Sequence, residues 1–121
     1  MTTLTALTRT AVLAAAGVCV TAATPAGAQS FDCRDSAHRA ERAVCGSDRL
    51  SALDVQLNAL YQRVIAKASG ARGREQVRAY QRDFLAARNA CGKDSGCIAD
   101  AYQDQISVLS AQVRTASNKW N

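Results

Sequence analysis

The sequence predicts an all-α fold, a small disulfide-stapled helical bundle in which one short helix is followed by three longer antiparallel helices. Three observations carry this. Apolar residues recur every three or four positions from Leu50 to Val113, without β-branched runs, which is the period of a helix face. Glycines at positions 46, 70, 73, 92 and 96 break these stretches, and no proline follows Pro25; such glycines punctuate segments. Cys33, Cys45, Cys91 and Cys97 lie where the predicted segments end or turn, and disulfides supplement the modest core that a small domain can bury.

The first 28 residues read as a secretory signal. Arg9 is their one charge, an apolar run extends from Ala11 to Ala23, and Ala26-Gly27-Ala28 supplies a small-x-small cleavage pattern,. The run is too short and alanine-rich for a membrane span of about 20 residues. Cys19 follows Ala16-Gly17-Val18. Valine stands where a lipid-attachment triplet needs a small residue, which disfavours lipidation. Cleavage near Ala28 places the domain at residues 29–121, in the periplasm or outside the cell, with four cysteines suited to oxidation.

A short helix is expected over about residues 37–45, with Ala40 and Val44 on its apolar side. The next carries Leu50, Leu53, Leu57, Leu60, Tyr61, Val64 and Ile65, with Ser47 or Asp48 as N-cap, and ends at a turn Ser69-Gly70-Ala71-Arg72-Gly73,. The third presents Val77, Tyr80, Phe84, Leu85 and Cys91, and the last Ile98, Tyr102, Ile106, Leu109 and Val113. The core is expected at about 31–113, with a frayed tail over 114–121. Short connections make neighbouring helices antiparallel. That arrangement favours Cys33–Cys45 and Cys91–Cys97, but Cys45 also falls near the helix 3–4 end, so crosswise pairing stays open.

From Gln29 onward fourteen Lys and Arg stand against ten Asp and Glu, a net charge of +4. This favours acidic partners or anionic surfaces without indicating nucleic acid, and no aromatic residues interleave with the basic ones to stack bases. Catalysis has no visible device. The single histidine, His38, has no nucleophile or metal partner in its surroundings, and no carboxylate pair reads as an acid–base couple,. Cysteine spacings of eleven and five residues are poor for zinc,. Neither an enzyme, a metal site nor a cofactor is expected.

Two sets of polar residues remain. Glu41, Asp54, Arg82 and Arg88, with Tyr61 and Tyr102, lie beside apolar positions and are expected to pair across helices, arginine's planar fork suiting a partly buried carboxylate. Lys67, Arg72, Arg74 and Arg78 cluster around the helix 2–3 tip. Such a cluster is a solvated end or a contact for a partner, an anionic wall polymer or lipid headgroups.

The chain resembles the lysozyme inhibitor LprI-like N-terminal domain family. The residues that carry the resemblance are Phe31-Asp32-Cys33, Glu41, Val44-Cys45, Leu50, Leu53-Asp54, Leu57 and Tyr61, then Gln81-Arg82, Phe84-Leu85, Arg88, Cys91, Asp94, Cys97, Tyr102, Ile106 and Leu109. They span residues 31 to about 110. The chain departs from the family's pattern at Phe84, where tryptophan is usual, at Gln105, where arginine is, and at His38, where Ser or Thr commonly caps. The resemblance implies a small secreted or lipid-anchored bacterial domain whose partner is lysozyme or another envelope protein. Common lysozymes are strongly basic, so a chain of net charge +4 meets long-range repulsion from them.

Overall fold

The computed structural model describes residues 30–118; the expected signal segment lies outside them. A single 3₁₀ turn, Cys33–Asp35, leads into α1 (Arg39–Cys45), α2 (Asp48–Lys67), α3 (Gly70–Ala90) and α4 (Ser95–Asn118). The described chain is all-helical, one short helix and three long ones, and the cysteines pair Cys33–Cys45 and Cys91–Cys97.

Each boundary has a local cause. Asp32 caps the 3₁₀ turn by accepting from the Arg34 N–H (2.9 Å). At α1, the His38 N–H donates to Glu41 Oε2 at 3.2 Å, the half of a capping box that a glutamate supplies. Ser47 is the N-cap of α2, its Oγ accepting from the Leu50 N–H at 3.3 Å,. Ser51 Oγ reaches back to the Val44 carbonyl at 2.8 Å and ties α1 to α2. Asp94 holds the start of α4, its Oδ1 accepting from the Cys97 N–H at 3.0 Å.

Three expected boundaries shift. The α2–α3 connection is only Ala68-Ser69, so Ala71, Arg72 and Gly73 belong to the first turn of α3 rather than to a loop. Gly70 makes the reversal with φ +64°, a conformation that favours glycine. The first helix begins at Arg39 instead of 37. The last helix runs through 115–118, where the expected frayed tail is helical; Thr115 Oγ1 bonds the Ala111 carbonyl at 3.0 Å.

Helix α4 packs along α2 over the longest interface and also along α3, while α1 lies across one end against all three. Leu50, Leu57 and Val64 of α2, Val77 and Phe84 of α3, and Ile98, Ala99, Tyr102 and Leu109 of α4 close the core, with Ala40 and Val44 from α1. Burying each leucine contributes about 1.5–3 kcal/mol. The ends of α1 and α3 and the start of α4 meet at one end of the bundle, which therefore holds both disulfides.

Candidate functional site

Two charged residues interrupt the apolar stripes. Asp54 lies four residues after Leu50, and Arg88 four after Phe84, so each faces inward with its stripe. They are 2% and 1% exposed, and Tyr102 of α4 is fully buried beside them. The Tyr102 hydroxyl donates to Asp54 Oδ1 at 2.8 Å and accepts from Arg88 Nη1 at 3.5 Å. Arg88 Nη2 reaches Glu41 Oε1 of α1 at 3.1 Å, and its Nε and Nη2 share Asn89 Oδ1 at 3.1 and 2.9 Å. Asp54 also accepts from the Ser30 N–H at 2.6 Å and from Ser30 Oγ at 2.9 Å. The Phe31 and Phe84 rings sit 5.4 and 6.0 Å from the guanidinium carbon, within cation–π range.

The network links all four helices and the chain's leading segment. A buried charge is tolerable only when paired and fully hydrogen-bonded, and this guanidinium has carboxylate, amide, hydroxyl and aromatic neighbours. Burial pushes the Glu41 carboxyl up, but the His38 N–H and the Arg88 and His38 charges outweigh that and hold it below its ordinary value. Burial pushes the Tyr102 hydroxyl well above its ordinary value, and the nearby Asp54 carboxylate adds to the rise.

Of the polar residues expected to act together, Glu41, Asp54, Arg88 and Tyr102 meet. Arg82 does not. It pairs with Glu75 at 2.9 Å on the exposed face of α3, both side chains more than half exposed, because two residues before Phe84 is about 200° around the helix. The helix period alone carried that signal. Tyr61 stands at the rim, lining a groove of about 310 Å³ with Asn58, Gln62, Gln81 and Leu85 above Arg88. The Gln81 Oε1 atom is buried there without a hydrogen-bond partner among the described residues. Ser30 and Asn89 join the network without a periodic signal, and Phe31 joins from the motif that carried the family resemblance. At the position where the family usually has arginine, Gln105 is buried and Nε2 donates to the Tyr80 carbonyl at 3.4 Å.

The expected basic cluster does not form one site. Lys67, Arg72, Arg74 and Arg78 are all exposed. With Arg72 in a helix, Arg74 points about 200° away from it, while Arg74 and Arg78 share a face. Lys67 alone borders the adjoining groove of about 200 Å³, whose other walls include Val64, Ala68, Val77 and Val113. At the opposite, disulfide-bonded end, Arg39, Arg42 and Lys93 line a common groove of about 570 Å³ with Ala43. These three were not singled out by sequence. Arg39 and Arg42 share a face of α1 at a three-residue spacing, but only the folded chain brings the α3–α4 turn to them.

Among the described residues, no group of three or more His, Cys, Asp or Glu is placed to hold a metal ion, and no helix is long and apolar enough to cross a membrane. Comparison with curated proteins and with solved structures finds no match. The model of one family, described as lysozyme inhibitor LprI, matches residues 33–118, a range that takes in both disulfides, the four helices and the Glu41–Arg88–Tyr102–Asp54 network. The chain therefore belongs to the lysozyme inhibitor LprI family.

Proposed function

We propose that this chain is exported and inhibits a lysozyme by binding it, without chemistry of its own. The family match over residues 33–118 carries the reading. The two disulfides support an oxidising compartment,, as does the signal-like sequence of residues 1–28. An inhibitor of this kind has to occlude a cleft that holds a general acid and a second carboxylate. Exposed arginine and lysine side chains on a backbone braced by two disulfides are apt for that task,.

The test is a turbidity assay of cell-wall lysis with oxidised protein comprising residues 29–121. Lysis slows at micromolar inhibitor if the reading holds; unchanged lysis by several lysozyme classes at micromolar excess removes it. A second reading is favoured by the exposed cations at both ends of the bundle. In it, the chain is a non-inhibitory envelope module that binds a protein or an anionic wall component. Co-purification from envelope extracts, with retention on an anionic matrix that falls steeply with salt, separates this reading from the first.

A further inference from the structure

We propose that Arg39, Arg42 and Lys93 form the docking site of this protein, a cationic groove that takes the carboxylates of an acidic cleft on a protein partner. The groove is open to solvent, with a volume of about 570 Å³, and lies between α1 and the α3–α4 turn. Two exposed arginines elsewhere find carboxylates, Arg34 with Asp32 and Arg82 with Glu75. Arg39, Arg42 and Lys93, like Arg72, Arg74 and Arg78, do not among the described residues. Asp94, next to Lys93, is turned instead to the Cys97 N–H. Three like charges sharing a groove repel one another, and an opposing carboxylate relieves that repulsion.

The groove is also pre-set. Arg42 Nη1 donates to the Ser36 and Ala37 carbonyls at 3.2 and 3.1 Å, which fixes the guanidinium and leaves Nε and Nη2 for a bidentate carboxylate contact. Ala43 is two residues from the Cys33–Cys45 bridge, and Lys93 lies inside the Cys91–Cys97 loop. Less conformational freedom is then lost on binding. The helix 2–3 tip compares poorly, with its arginines dispersed around α3 and an apolar groove beside them.

A protein cleft fits better than a long polyanion. The other basic group lies at the far end of α2 and α3, about 30 Å away for helices of this length, so the two groups do not make a continuous cationic track. The inhibitor reading enters only in naming lysozyme as the partner.

The test compares the wild type with R39Q/R42Q/K93Q and with K67Q/R72Q/R74Q, all oxidised and matched for thermal unfolding. A hexaglutamate peptide should perturb the amide resonances of 39–43 and 91–94 in the wild type and in K67Q/R72Q/R74Q. It should leave them unmoved in R39Q/R42Q/K93Q. In the lysis assay, the half-inhibitory concentration should rise at least about tenfold for R39Q/R42Q/K93Q and less than about threefold for the other variant. Peptide shifts confined to residues 67–78, or equal losses in both variants, overturn the site. Binding of a polyglycerol-phosphate polymer with no response to hexaglutamate overturns it in favour of a wall polymer. A wild type that takes the peptide in this groove but inhibits no lysozyme ends the inhibitor reading and upholds the carboxylate site.

Discussion

Arg88 holds a full charge at 1% exposure, and every polar atom of its guanidinium has a partner. Arg88→Ala leaves Glu41 without its ion-pair partner and removes one bond from the Tyr102 hydroxyl. Breaking a buried pair in this way costs about 3–5 kcal/mol, so the melting temperature followed by circular dichroism should fall by more than about 10 °C. A fall of only a degree or so, accompanied by loss of a partner, assigns Arg88 to recognition instead. Glu41 sets the acid limit. Its carboxyl is held below the ordinary 4.5 in the fold, so its contribution is complete above the unfolded value and is lost as pH falls through the folded one. Melting temperature at fixed ionic strength should therefore decline as pH falls below the ordinary 4.5,, and Glu41→Gln should flatten that limb. An unchanged acid limb in E41Q assigns the decline to other carboxylates.

At the scale of the helices, two glycines close in sequence should behave oppositely. Gly70 turns α2 into α3 at φ +64°, and an added Cβ meets nothing within 4 Å, so the cost of Gly70→Ala is conformational, about 1–2 kcal/mol. Gly73 lies in the first turn of α3, where a Cβ meets Ala68 at ordinary contact, 3.6 Å and beyond. Gly73→Ala should stabilise by about 0.5–1 kcal/mol. Melting curves of the two single variants check both signs, and a stabilising G70A contradicts the assigned turn. These glycines also show where sequence reading stops. The apolar stripes were legible because period alone distinguishes Leu50, Leu57 and Val64 from their neighbours. A glycine that starts a helix and one that sits inside it look alike in sequence, so the pattern implies a longer loop than the two-residue connection of the fold. Arg82 differs for a related reason, since its nearness to Phe84 in sequence hides an opposite direction on the helix. The groove of Arg39, Arg42 and Lys93 was not legible at all, because it joins residues some fifty positions apart.

Across the whole molecule the two disulfides are unequal. Cys91–Cys97 closes six residues between helices already packed on each other, whereas Cys33–Cys45 closes twelve and anchors the segment that carries Ser30 and Phe31. Doubling a loop adds only about 0.6 kcal/mol by chain entropy. The loss of contacts to Asp54 and Arg88 should decide the difference. Replacing Cys33 and Cys45 by serine should lower the melting temperature more than replacing Cys91 and Cys97, with faster amide exchange over residues 30–36. Equal losses would mean that the leading segment holds without its bridge.

The network also imposes an order on biosynthesis. Glu41 awaits a partner 47 residues downstream and Asp54 one 48 residues downstream, while the chain is made from its amino end. The acidic members thus emerge first, and α2 lacks its longest interface until α4 arrives. Early intermediates that expose such faces are prone to aggregation, and contacts this distant in sequence slow folding relative to a bundle with local pairing only. A polypeptide interrupted before Tyr102 lacks both the hydroxyl that donates to Asp54 and the longest helix interface, and it is left as a substrate for proteolysis. The last helix thus supplies the longest interface, which the earlier ones leave open.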